Sequence, residues 1–188
     1  MKHFWLSALL VAGLGLISLD GAAQEGRHSR LGIGVYTDLF NACPGLQAEY
    51  DYRFTPWFSV AAQLSDEASW RKNRCLNRAT AMVYALFRPF PERGFWHRFE
   101  LGAGAGYENC FKSYPAETVY TYNNTVRSLS NESYTTENKN FASFDVPLKF
   151  YIVDNSRYDI GLCVTYRLRV GSEIIHGLTI GLQLGAKF

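Results

Sequence analysis

After residue 23 this sequence contains no apolar run long enough to cross a membrane as a helix, because glycine, charged and polar residues interrupt every one. About 20 consecutive apolar residues would be needed. It also lacks a charge bias: 19 Lys and Arg stand against 17 Asp and Glu, a formal net charge of +2 with no basic tract. That balance excludes a nucleic-acid binder that works by neutralising phosphates. The four cysteines, Cys43, Cys75, Cys110 and Cys163, show no C-x-x-C spacing and so announce no metal site. A phosphate-cradling loop is missing as well. The glycines of "GAGAGY" (residues 102–107) alternate inside a strand-like run, with no helix behind them to present free amides to an anion. No cofactor or metal is expected.

What is present begins with the leader. Lys2 and His3 form a short positive region, Phe4 to Leu19 an apolar one, and Gly21-Ala22-Ala23 a small-residue cleavage site. This is the layout of a secretory signal peptide over residues 1–23, which leaves residues 24–188 as one domain in an oxidising compartment. Aromatics make up 15% of the chain.

The dominant pattern is alternation with a period of two, which in an extended strand sends successive side chains to opposite faces. "LQAEYDYRF" places Leu46, Ala48, Tyr50, Tyr52 and Phe54 opposite Gln47, Glu49, Asp51 and Arg53. "RFELGAGAGYE" (98–108), "FDVPLKFYI" (144–152), "YDIGLCVTYRL" (158–168) and the terminal "LTIGLQLGAKF" (178–188) alternate equally well. Leu31–Asp38 and Trp57–Ser65 do so nearly as well. Asn77–Phe87 is strand-like, but its two faces cannot be told apart. Eight candidate strands result. Their connections alternate too: tight turns at Thr55-Pro56 and 153–156, a proline-bounded link at 89–97, and long links at Ser65–Leu76 and Asn109–Asn140. Short turns at one end and long loops at the other characterise outer-membrane barrels.

Alternation alone does not say which face is inside. A soluble barrel or sandwich points its apolar face inward, and a membrane barrel reverses this. Two features decide. Gly102, Gly104, Gly106, Gly161, Gly181 and Gly185 lie on the polar face, as a cramped lumen requires. Tyr50, Tyr52, Phe54, Phe99, Tyr107 and Tyr166 cluster toward strand ends on the apolar face, where amphipathic rings favour a bilayer boundary. The expectation is an all-β, eight-stranded antiparallel up-and-down transmembrane β-barrel.

In pattern and size, residues 31–188 resemble the small eight-stranded outer-membrane β-barrel family, of the OmpA-barrel and OmpX type. The resemblance implies an outer-membrane location with both termini in the periplasm, and a monomer in contact with outer-membrane lipid. It implies a barrel-assembly machinery that reads the terminal aromatic, here Phe188, in phase with the apolar face. It also implies a structural or surface-interaction role through long loops, with an unknown surface ligand. Some such barrels are lipid A deacylases or acyltransferases. The deacylases resemble a His-x-Ser arrangement, but His28, His97 and His176 are followed two places on by Arg30, Phe99 and Leu178. No catalytic residue is therefore assigned. A narrow ion or solute channel, a lipid-modifying enzyme and a soluble lipocalin-like carrier stay open as alternatives.

The polar faces collect Glu49, Asp51, Arg53, Glu100, Glu108, Asp145, Lys149, Asp159, Arg167 and Lys187, with Arg88 and Arg98 near the periplasmic end. In a narrow lumen these charges should pair, since an unpaired one is costly. Reflection through a hairpin centre near residue 93 brings Cys75 beside Cys110, which suggests a disulfide between the second and third outer loops. Cys43 in the first loop is the competing partner, and Cys163 reads as a free, buried thiol. "TVYTYNNTVRSLS" (118–130) reads as two β-prone arms around Asn123-Asn124, a hairpin reaching beyond the membrane. Tyr114, Tyr120, Tyr122 and Tyr134 give this region a composition suited to surface contacts.

Overall fold

The computed structural model describes residues 28–71, 74–92, 94–122 and 125–188, apart from the side chains of residues 28, 70–75 and 114–134. The expected leader therefore lies outside the described residues. Eight strands follow one another: β1 (His28–Asp38), β2 (Cys43–Arg53), β3 (Phe58–Arg71), β4 (Arg74–Phe87), β5 (Phe99–Tyr122), β6 (Thr125–Asp154), β7 (Tyr158–Val170) and β8 (Ile174–Lys187). Each pairs antiparallel with its chain neighbour, and β8 returns to β1 to close the barrel. The closing ladder runs from Arg30↔Lys187 to Asp38↔Thr179. It is extended by Phe188, which donates its amide to the Ser29 carbonyl at 2.9 Å and accepts from the Ser29 amide at 3.2 Å. Closure satisfies every edge, a requirement where no water is present to solvate a free backbone group. Among the described residues no helix is long and apolar enough to cross a membrane.

Two of the expected long links are instead strand. The Ser65–Leu76 segment continues β3 and β4 up to the pair Arg71↔Arg74. The Asn109–Asn140 segment continues β5 and β6 up to Tyr122↔Thr125, so the hairpin expected over 118–130 forms and its strands run unbroken into the barrel. Serine, threonine and asparagine masked the alternation here, because both faces of a solvated hairpin are polar. At the opposite end the turns are compact. The Thr55 hydroxyl accepts the Phe58 amide at 2.9 Å to shape the first of them. The link between β4 and β5 holds a short 3-10 turn, Gly94–Arg98.

The wall is inverted relative to a soluble barrel. Ile33, Val35, Leu46, Val83, Phe144, Val146, Leu182 and Leu184 are all exposed, while Glu49, Glu100, Glu108, Asp145 and Arg169 are buried. This arrangement corrects the lipocalin-like alternative, whose apolar faces would have to enclose a core. β4 resolves in the same way: Arg78, Thr80, Met82, Tyr84, Leu86 and Arg88 point inward. Its faces were indistinct because Met82, Tyr84 and Leu86 oppose an equally apolar outer row of Ala79, Ala81, Val83 and Ala85.

Glycine on the inner face makes room for large neighbours. A β-carbon at Gly104 would fall 2.6 Å from Tyr84 Cε1 and 2.9 Å from the Val83 carbonyl oxygen. Tyr84 therefore lies across the β5 backbone and aims its hydroxyl at Asp145 Oδ2, 2.9 Å away.

Candidate functional site

The lumen is the most organised chemical feature of the molecule. Its polar side chains form two clusters stacked along the barrel axis. In the cluster nearer the termini, Arg30 donates through Nε and Nη2 to the two oxygens of Asp159, at 2.7 and 2.8 Å. Its Nη1 reaches Glu49 Oε1 at 2.9 Å. Glu49 Oε1 also accepts from Lys149 Nζ at 2.5 Å. Glu100 accepts from Arg88 at 2.9 Å, from the Tyr151 hydroxyl at 2.6 Å, and from Arg53. Asp51 accepts from the Ser59 hydroxyl at 3.2 Å. Lys187 pairs with Asp154 at the rim. The Tyr151 ring lies between two guanidinium groups, 5.5 Å from that of Arg30 and 5.4 Å from that of Arg88.

In the second cluster Arg167 makes a forked contact with Asp145, with Nε and Nη2 each 2.9 Å from a different oxygen. Arg169 donates to Glu108 at 2.7 Å. Arg78 bridges Glu67 at 2.9 Å and Asp38 at 3.1 Å. Asp38 also accepts the backbone amides of Phe40 and Asn41, at 2.9 and 3.2 Å. The first outer turn is thereby tied to the lumen. Between the clusters the side chains are neutral: Gln63 donates to Gln47 at 3.0 Å, and Gln183, Met82 and Tyr84 complete the layer.

Ion pairs reach across the full bore at two levels. β2 and β6 lie on opposite sides of an eight-stranded barrel, as do β3 and β7. Yet Glu49 on β2 meets Lys149 on β6 at 2.5 Å, and Glu67 on β3 approaches both Arg167 and Arg169 on β7, at 3.7 and 3.9 Å. Side chains from opposite walls therefore meet within the bore, as expected where eight strands enclose space only for side chains.

All ten charges singled out from the sequence lie in these clusters, and so does Arg88. Arg98 does not join them. It bonds the Ile152 carbonyl at 3.1 Å near the surface. The sequence reading missed Arg30, Asp38, Glu67, Arg78 and Arg169. Arg30, Glu67 and Arg169 continue the inward parity of β1, β3 and β7 a step or two beyond the segments first recognised, which is the signal that could have found them; Asp38 closes the recognised β1 segment, and Arg78 lies on β4, whose two faces the sequence did not separate.

The cysteines require correction. Cys110 and Cys43 carry free, buried thiols, and Cys163 is free and half-buried. Cys43 opens β2 rather than lying in the first loop. In the ladder Cys75 faces Ser113, while Cys110 faces Arg78, three positions further along. Three positions of strand separate the two α-carbons by about 10 Å, beyond disulfide reach. The proposed hairpin centre was off by one residue. We therefore expect a thiol reagent to leave Cys43 and Cys110 unlabelled in the folded barrel and to label them after denaturation, read by mass shift.

Neither described histidine ring is oriented by a carboxylate. His97 engages the Gly94 carbonyl, and His176 lies within β8, its Nδ1 2.5 Å from the Tyr166 hydroxyl. No triad forms around them. Tyr114, Tyr120, Tyr122 and Tyr134 lie on the backbone of the outer hairpin, and their side chains are outside the described residues. At its base Lys139 donates to Glu173 at 3.0 Å. That bond and the ammonium charge hold the Glu173 carboxyl below its ordinary range. The pair is exposed and adds little to stability.

No family model matches the chain. No curated relative matches it either. Among solved structures the chain is similar to Ail, the attachment invasion locus protein of Yersinia pestis, in a complex with the heparin analogue sucrose octasulfate. The TM-score is 0.61 at 12% identity, over 87% of this chain and 99% of that one. It is also similar to the N-terminal β-barrel domain of Pseudomonas aeruginosa OprF, with a TM-score of 0.50 at 12% identity over 88% and 100% of the two chains. A backbone structure of Ail in a phospholipid bilayer nanodisc gives 0.50 at 14% identity over 87% and 100%.

Proposed function

We propose that this chain, whose fold is that of the small eight-stranded outer-membrane barrels, is a non-enzymatic protein of the outer membrane, that its lumen is a permanent structural plug, and that its outer hairpin is the working surface. The observation that carries this reading is the length of the hairpin. β5 and β6 run 24 and 30 residues, against 11 to 14 for the other strands. β4 stops pairing with β5 at Ser113, and β7 stops pairing with β6 at Ala142. The β5–β6 ladder continues to Tyr122↔Thr125. Nine residues of β5 past Ser113 extend about 30 Å. Such a hairpin is of no use to a sealed pore but suits contact with a surface ligand. The attachment role in the name of Ail supports the same reading by analogy.

Protease shaving of intact cells, with cleavage sites read by mass spectrometry, tests the proposal. Cuts should fall within residues 114–141 and leave the rest of the barrel protected. A chain untouched on whole cells but fully digested after osmotic release would overturn both the orientation and the surface role.

A further inference from the structure

On four adjacent strands the outward series changes from apolar to polar within two successive rungs of the sheet. β3 presents Val60, Ala62 and Leu64 and then Asp66, and β4 presents Val83, Ala81 and Ala79 and then Asn77. β5 presents Ala103, Ala105 and Tyr107 and then Asn109, and β6 presents Val146, Phe144 and Ala142 and then Asn140 and Asn138. The register aligns them in two rows. Asp66, Ala79, Asn109 and Asn140 form one, and Ala68, Asn77, Phe111 and Asn138 the next. On the neighbouring β7–β8 hairpin the outward face carries the exposed His176 but returns to apolar residues at the turn, where Val170 and Ile174 are exposed.

The patch is pre-ordered. Asn109 Nδ2 donates to both Asn138 Oδ1 and Asn140 Oδ1, each at 2.7 Å. This fixes the amides with Asn109 Oδ1 as an outward acceptor and the Asn138 and Asn140 amino groups as outward donors. Phe111, 40% exposed, supplies a flat apolar ring among them. Among the described residues the two rows hold no cation, and Lys112 and Lys139 belong to the opposite, inward series. Planar amides and a carboxylate around an aromatic face suit vicinal hydroxyls and the C–H face of a sugar ring. The absence of a cation disfavours phosphate. The patch is also continuous with the lipid-facing wall, at the level where lipid headgroups begin.

We propose that this amide patch on β3–β6 seats the sugar headgroup of a glycolipid of the surrounding outer leaflet. The inference rests on the membrane reading above. The full barrel is reconstituted in phosphatidylethanolamine nanodiscs containing rough-type lipopolysaccharide, and retained lipid is read by native mass spectrometry. The wild type should retain glycolipid. Asn109→Ala combined with Asn140→Ala, and Phe111→Ala separately, should each retain about 3- to 10-fold less while phospholipid retention is unchanged. Folding of each variant is checked by heat-dependent gel mobility. Equal retention by inserted wild type and variants would overturn the proposal. So would a loss of retention on removing only the lipid phosphates with the sugars intact. A wild-type chain that never inserts would overturn the membrane reading instead, and this inference with it.

Discussion

Replacing Glu100 by alanine should destabilise the barrel by about 3–5 kcal/mol, the usual cost of deleting one partner of a buried ion cluster. Glu100 is 1% exposed and accepts from Arg53, Arg88 and the Tyr151 hydroxyl. Its removal takes from Arg53 its ion-pair partner and leaves Arg88 only the longer contact to Asp154, at 3.5 Å. Denaturant unfolding in detergent micelles, followed by tryptophan fluorescence, measures the loss. Removing Arg88 as well should restore part of it, since the second deletion takes away one of the orphaned charges. A Glu100→Ala midpoint equivalent to less than about 0.5 kcal/mol of change, the range of an ordinary surface substitution, would mean that solvent reaches the cluster. The plug would then be no plug.

The second large effect is expected at Gly106. A β-carbon there would lie 2.5 Å from Met82 Sδ and 2.8 Å from Met82 Cα, with the Ala81 carbonyl oxygen closer still. Methionine could turn its sulfur away, but two of the three obstacles are backbone atoms of the paired strand. Gly106→Ala must therefore push β5 off β4, and a cost of about 3 kcal/mol, the upper end for overpacking, is expected. Gly161→Ala is the control. Its nearest atom is Tyr151 Cδ1 at 3.2 Å, on a side chain, and the cost should stay below about 1 kcal/mol. Comparable midpoints for the two variants in the same micelle titration would show that the β4–β5 contact is looser than it looks.

The sequence made the barrel legible wherever a strand sits between lipid and a charged lumen, as β7 and β8 do. There Ile160, Leu162 and Val164 alternate with Asp159, Gly161 and Cys163, and no soluble architecture distributes glycine and charge that way. Legibility failed in two physical situations. β4 builds the one apolar stretch of the lumen, where Ala61, Met82, Tyr84 and Leu86 pack together, so its two faces carry the same hydropathy. The outer hairpin was legible as β-prone arms over 118–130, but the Ser, Thr and Asn residues around them hid the strands that join those arms to the barrel. The site was read in part for a related reason. Phase identified charges within a recognised strand, such as Asp145 and Arg167, but Glu67 fell in a stretch read as a link. Which cation meets which carboxylate was beyond reach. The pairs that span the bore, Glu49 with Lys149 and Glu67 with Arg167, join opposite strands, and only the closed circumference brings these together.

The ladder between Arg30 and Lys187 has a temporal consequence. It joins the two ends of the chain, so its loop-closure entropy is the largest in the molecule, and no part of it can form before the last strand exists. A hairpin or half-barrel entering lipid early would carry two rows of bare amides and carbonyls, each costing several kcal/mol. The nascent chain therefore gains nothing from inserting as it emerges. Exposure of those unpaired edges to lipid ends only when β1 and β8 meet, so the closed circle and not any single hairpin is the unit that the bilayer tolerates.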